Sequence, residues 1–202
     1  GIIHRDIHSG NILSISLDKR CMYEWRICDL GLSKPANYLT SNDEIYGVIP
    51  YIAPEIFNGA SFSKSSDIYG IGMIMWELTT GCKPFSNIEH DHKLIYEIID
   101  GKRPEITIDT PVCYAYLMKK CWDSDPSKRP SIKEILEFIE IWHLIYKIEF
   151  DEAEEKRVEL VKSKTLGPEF NKKHLKAIYT SRSLNSLIFW SRSLMSPLNF
   201  VQ

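Results

Sequence analysis

The chain lacks any apolar run long enough to cross a bilayer, which takes about 20 residues. The longest candidate near its end, "LIFW" at 187–190, is broken at once by Ser191 and Arg192. No secretory signal pattern is present either. Neither sign of charge is in excess: 25 Lys and Arg against 27 Asp and Glu leave a formal charge of −2. Nucleic acid therefore finds no electrostatic footprint and is not expected as a partner. The five cysteines (Cys21, Cys28, Cys82, Cys113, Cys121) are odd in number and form no CxxC pair. That argues against a disulfide framework or a zinc site and fits a reducing, cytoplasmic setting. The six histidines do not cluster at ligand spacing; His90 and His92, in "EHDH", are expected on a polar surface at a helix start. No G-x-G-x-x-G and no internal repeat occurs anywhere.

What remains is ordinary for a globular protein. Over 202 residues, 44% are hydrophobic and 26% charged, enough for one domain with a core plus an extension. In "NILSISLDKRCMYEWRICD" two period-two segments flank the turn-like "DKR". A hairpin centred on Arg20 pairs Leu13 with Ile27, Ile15 with Trp25 and Leu17 with Tyr23, all on one face, and sets Asn11 opposite Asp29. Residues 29–55 read as a long loop closing at "APEIFNG", and loops of that length in compact domains usually serve a function. The segment 65–81 is apolar on every side and belongs at the centre of a domain; Gly70 and Gly72 within it permit close packing. Three amphipathic helices are expected at 90–100, 111–122 and 131–148, the last with Ile132, Ile135, Leu136 and Ile139 on one face and a proline just inside its start. From about 149 the composition turns charged, then serine-rich. That end reads as a charged helix followed by a mostly disordered tail, with a partner-docking or membrane-surface helix as the alternative.

Phosphoryl transfer needs a carboxylate near the accepting hydroxyl and hard oxygen ligands for magnesium beside the phosphates. "HRDIHSGN" (4–11) offers Asp6 and Asn11 on one tight loop. The hairpin then brings Asp29 against Asn11 at a strand separation of about 5 Å, where two side-chain oxygens can share one small cation.

These residues resemble the protein kinase superfamily. "HRDIHSGN" matches H-R-D-x-x-x-x-N, "CDLG" (28–31) stands for D-F-G, and "APE" (53–55) closes an activation segment. "DIYGIGMIMWEL" and "CWDSDPSKRP" resemble the buried helix and closing motif of the large lobe. "WEL" and "CW…RP" are most like the tyrosine-kinase-like group, and the tail resembles extensions on an expanded fungal set of that group. The resemblance implies an α+β, protein-kinase-like fold: a mainly helical large lobe with a β-hairpin, the small lobe absent. It covers 1–147, leaving 148–202 as a C-terminal extension.

It also implies roles. Asp6 would orient the substrate hydroxyl and accept its proton, Asn11 and Asp29 would hold Mg2+, and Leu13 would lie under the adenine of ATP. Arg5 would pair with a phosphate on the activation segment, where Ser33, Thr40, Ser41 and Tyr46 are candidates. Glu55 and Arg129 would form a buried ion pair, and Asp67 would brace the catalytic loop. The implied activity is ATP-dependent phosphorylation of protein Ser/Thr, or of Tyr; the alternative is a truncated, inactive module that binds partners. His8 stands where serine/threonine kinases carry a lysine, Val48 where they carry a threonine, and Leu30 replaces the phenylalanine of D-F-G.

The chain opens three residues before His4, at Gly1 rather than Met, without the glycine-rich loop or the strand lysine of an ATP clamp. Alone it is expected to be inactive. It is also expected to be marginally stable, since the helix of 68–78 would expose a face that its partner helix normally covers.

Overall fold

The computed structural model describes residues 1–16, 23–36, 44–165, 167 and 173–195. The molecule is mainly helical with short antiparallel sheets, in the order β1 (Ile2–Ile3), β2 (Ile12–Ser16), β3 (Tyr23–Ile27), β4 (Lys34–Pro35), β5 (Tyr46–Gly47), α1 (Pro54–Phe57), α2 (Lys64–Thr80), α3 (His92–Ile99), α4 (Val112–Cys121), α5 (Ile132–Ile145), α6 (Lys147–Ser163), β6 (Arg182–Ser183) and α7 (Asn185–Met195). Single 3-10 turns precede β2, follow β3, lead into α1 and precede α5.

Helix α2 is the axis of the core. Ser63 and Ser66 form a reciprocal capping box at its start, and Gly81 ends it in the left-handed region at φ 66°. Tyr69, Met73 and Trp76 are fully buried. The two glycines are sites of close approach: a Cβ on Gly70 would lie 2.6 Å from the Ile7 carbonyl oxygen, and one on Gly72 would lie 2.9 Å from Cys121 Cβ. Gly70 thus lets the loop carrying Asp6 lie against the helix, and Gly72 admits α4. Two polar atoms of the core are tied: Trp76 Nε1 donates to the Glu105 carbonyl (2.6 Å) and the Tyr114 hydroxyl to that of Met75 (3.0 Å). The expected bare face on this helix is not found. Ile68, Ile74 and Met75 are buried too, and Leu78 alone among its large apolar side chains is exposed, because the loop 4–11, the segment before α1 and α4 cover the rest.

The apolar exposure lies elsewhere. Leu13, Trp25 and Ile27 of the hairpin are more than half exposed, as are Leu136, Leu144 and Ile148 along α5 and α6. Of the apolar positions expected on one face of α5, only Ile135 is buried; Ile132, Leu136 and Ile139 are exposed. Ser131 caps that helix in a box with Glu134, so Pro130 precedes the cap instead of lying inside the helix.

The hairpin differs from expectation by one residue. Its pairs are Ile12 with Ile27, Leu13 with Arg26, Ser14 with Trp25, Ile15 with Glu24 and Ser16 with Tyr23. Opposed residues share a face, so Leu13 and Ile15 lie on one side and Trp25 and Ile27 on the other. Leu17 and Arg20 fall outside the described residues. A register is strongly specified only where one face is buried, and here both are open.

The described residues of the C-terminal end, 173–195, also depart from the disordered tail that its serine content suggests. Residues 173–183 cross the loop between α2 and α3, β6 pairs antiparallel with β5, and α7 packs across α3. Leu184 and Ile188 join the main core and Ser191 is fully buried. Each such apolar side chain contributes about 1.5–3 kcal/mol. His90 anchors this crossing: Ile178 N–H donates to its Nδ1 (3.1 Å), and its Nε2 lies 3.1 Å from the Phe85 carbonyl oxygen. It is buried, not on a polar surface, because the returning tail covers it.

Candidate active site

The loop "HRDIH" is held from below by α2. Asp67, in the first turn of that helix, accepts from the backbone N–H of His4 (2.7 Å) and Arg5 (2.9 Å). Those two bonds hold Arg5 at φ 73°, a left-handed conformation that non-glycine residues seldom adopt. Burial pushes the Asp67 carboxyl up from its ordinary value, opposed by the two amides. His4 ties the loop sideways, with its Nε2 3.0 Å from the Cys28 carbonyl oxygen and its Nδ1 3.4 Å from the Asp6 amide nitrogen.

Asp6 is buried at 7% exposure, and three groups surround its carboxylate. Asn11 Nδ2 donates to the Asp6 carbonyl (3.0 Å) and lies 3.5 Å from Oδ2. His8 Nε2 lies 3.6 Å from the same oxygen, while its Nδ1 accepts from Gly10 N–H (3.1 Å). That contact fixes the tautomer with the proton on Nε2, towards Asp6. On the other side, a Cβ on Gly47 would come within 3.4 Å of Asp6 Oδ1, so the backbone of β5 passes directly beside the carboxylate.

Further out, Glu55 and Arg129 meet through two 2.7 Å bonds, and the Arg129 guanidinium also donates to the carbonyls of Asp123 and Ser65. Its side chain is wholly buried and lies over the Tyr69 ring. The expected ion pair and the expected bracing by Asp67 are both present.

Comparison with known proteins agrees with this frame. The family described as protein tyrosine and serine/threonine kinase matches residues 1–139. The chain is 36% identical over 146 residues to a probable serine/threonine-protein kinase of Dictyostelium discoideum, a match covering 67% of this chain and 8% of that protein. It is 36% identical over 147 residues to the stress-activated protein kinase alpha of the same organism (67% of this chain, 22% of that one). Against human mitogen-activated protein kinase kinase kinase 7 the identity is 32% over 139 residues (68% and 22%). The chain belongs to the protein kinase superfamily. Within it the likeness is to the tyrosine-kinase-like group, and the matches span only 8–22% of the length of these three kinases.

In this kinase lobe the strand pairing expected between Asn11 and Asp29 does not occur. The slip of register sets Asn11 against Cys28, whose N–H donates to the Asn11 carbonyl (2.9 Å). Asp29 lies one residue beyond, at φ 60°, where its Oδ1 accepts from Gly31 N–H (3.2 Å). The donor set still suits a hard cation: Asn11 commits its Nδ2 to Asp6, and among the described residues no donor occupies Asn11 Oδ1 or Asp29 Oδ2. Two oxygen ligands with water completing the shell are in keeping with magnesium. Leu13 is 51% exposed on the open side of the hairpin. Of the candidate phosphosites, Thr40 and Ser41 lie outside the described residues; the Ser33 hydroxyl donates to the His4 carbonyl (3.4 Å), and Tyr46 is exposed.

One polar network beside the loop was not anticipated. The Tyr51 hydroxyl donates to Glu77 Oε2 (2.7 Å), Lys83 Nζ pairs with Glu77 Oε1 (2.7 Å), and the same ammonium donates to Ser9 Oγ (2.5 Å). It joins three segments far apart in the chain, and no local spacing in the sequence signals it. Burial and the Glu77 carboxylate push the Tyr51 hydroxyl well above the usual phenol range, so it stays a donor. No helix among the described residues is long and apolar enough to cross a membrane.

Proposed function

We propose that this chain is the catalytic-loop half of a kinase that transfers the γ-phosphate of ATP to a serine or threonine hydroxyl of a protein. The observation that carries the reading is Asp6, buried, clamped by Asn11 on one carboxylate oxygen and facing the backbone of β5 with the other. Asp6 would take the proton of the acceptor hydroxyl as its oxygen bonds to the γ-phosphorus and the bond from that phosphorus to the bridging oxygen of ADP breaks. Asn11 and Asp29 are the side chains that would hold Mg2+, which when bound supplies positive charge against the phosphates. Leu13 would give the adenine an apolar floor. We put the boundary between this catalytic portion and the extension at 147/148, within the first turn of α6 and just after Tyr146 separates that helix from α5. Signalling in the cytoplasm follows as the setting.

Serine and threonine are favoured over tyrosine by the first of the relatives above, which is named a probable serine/threonine-protein kinase. His8 stands where a lysine is usual, and beside it the Lys83 ammonium, paired with Glu77, reaches the next residue of the loop, Ser9. The deciding experiment compares the natural polypeptide carrying this chain with its Asp6→Asn variant, using a protein substrate and labelled ATP. Loss of a general base typically costs about 10²–10⁴-fold, and that fall is expected. Equal transfer by both proteins would remove the catalytic reading and leave a binding module.

A further inference from the structure

We infer that the segment 182–188 occupies the place where the acceptor protein must lie, so that the C-terminal extension acts as a built-in competitor for the substrate. This inference rests on the kinase reading above and names a regulator of the same site.

An acceptor hydroxyl has to come within about 2.6–3.2 Å of the Asp6 carboxylate. The backbone of the activation segment passes beside that carboxylate at Gly47, and an extended peptide can reach such a position by adding to the edge of the strand 46–47, a general way of binding peptides. That edge is already taken. Tyr46 pairs with Ser183 and Gly47 with Arg182, antiparallel. The Leu184 N–H donates to the Ile45 carbonyl (2.9 Å), and the Ile45 N–H donates in turn to Asn185 Oδ1 (3.0 Å). Four consecutive tail residues therefore run along three of the activation segment.

The contact is secured on both sides. Before the strand, the Tyr179 hydroxyl donates to the Pro84 carbonyl (2.8 Å) and its ring packs edge-on against His90; Arg182 Nη2 donates to the His90 carbonyl (2.7 Å). After it, Leu184 and Ile188 are buried in the core, and Arg192 donates through Nε and Nη2 to the Phe57 carbonyl (3.1 and 2.9 Å). An incoming protein that adds to the same edge has to displace these ties. Binding of acceptor and docking of the tail exclude one another, and ATP is not involved in the exclusion.

The test uses the natural polypeptide with and without residues 179–202, and myelin basic protein as the probe acceptor. Deletion is expected to lower KM for the acceptor about tenfold, with the rate of ATP hydrolysis in the absence of acceptor unchanged. A synthetic peptide of residues 178–195, added to the deleted protein, is expected to inhibit competitively against the acceptor and not against ATP. Should the deletion fail to fold, the double variant Arg182→Ala, Asn185→Ala removes two polar ties without touching the apolar core, and a KM about two- to fivefold lower is expected. An unchanged KM, or a peptide that does not compete, overturns the inference. If no form shows transfer that depends on Asp6, the kinase reading has failed, and with it the competitor role. Amide exchange at 45–48 then tells whether docking survives: faster exchange on deletion means that it does, unchanged exchange that the tail was never seated there.

Discussion

Two consecutive segments of this chain, the loop 4–11 and the hairpin 12–27, are built on opposite principles. The loop is short, irregular and polar, yet it is tied down both to distant segments and within itself. Asp67 takes the amides of His4 and Arg5, Gly70 admits Ile7, and Asn11 returns to Asp6. The hairpin is regular and apolar, yet Leu13, Trp25 and Ile27 are largely open to solvent. In this molecule hydrophobicity does not rank how firmly a segment is held; buried polar ties and close backbone approaches do.

The sharpest way to break the comparison is at the outer tie of the same polar frame. Removing one partner of a buried ion pair leaves the other uncompensated and typically costs about 3–5 kcal/mol. Glu55→Ala is therefore expected to destabilise the protein by that amount, since the Arg129 side chain is wholly buried. Urea unfolding of the natural polypeptide measures it. A loss under about 1 kcal/mol, the scale of a surface pair, would mean that the frame is not what holds the loop.

Next in size is Gly70→Ala. Its added Cβ would meet the backbone oxygen of Ile7 at 2.6 Å, and backbone cannot swing aside as the end of a side chain can. Overpacking of this kind costs about 1–3 kcal/mol, against a gain of up to about 1 kcal/mol in helix propensity. A net loss of stability is expected together with a fall in phosphate transfer, because the displaced residue adjoins Asp6. A stabilised, fully active variant would show that the approach is looser than the distance implies.

The part of this frame that was legible from the sequence is the part that rests on motif residues: Asp67 under the loop, Glu55 with Arg129, and the all-round apolar α2 with its two glycines. Each is an identity at a fixed spacing. What was not legible depends on meetings between distant segments. The link from Tyr51 through Glu77 and Lys83 to Ser9 joins separate elements with no shared period. The tail crossing rests on a two-residue strand and a serine-rich helix, patterns too short and too polar to stand out. His90 looks like a surface residue until residues 174–182 are laid over it.

That covered histidine predicts a smaller, pH-dependent effect. Burial lowers the pKa of His90, opposed by its contacts with the Ile178 and Phe85 carbonyls, while Arg182 and His174 nearby lower it further. A base whose folded pKa is depressed binds the proton better when uncovered. The stability it contributes is present above the unfolded value of about 6.5 and is lost as pH falls below it. Amide exchange in 176–184 is expected to quicken between pH 7 and pH 5.5 beyond the intrinsic pH effect, and His90→Gln should flatten that change. The same dependence in the variant would assign it to another group.

The smallest effect belongs to the hairpin. Trp25 is 65% exposed and faces Ser14 across the ladder. In this lobe Trp25→Ser should therefore change stability by less than about 0.5 kcal/mol, as surface substitutions do. Burying a tryptophan is worth several times more, so a loss above about 2 kcal/mol in the natural polypeptide would mean that a further part of that protein covers this face. The same measurement bears on the register. With both faces open, a one-residue slip costs little and the period-two pattern cannot choose between pairings; with one face covered, it could. A near-silent Trp25→Ser beside a costly Glu55→Ala would leave the contrast between loop and hairpin standing, whereas comparable losses would show that the hairpin, too, is held by what it touches.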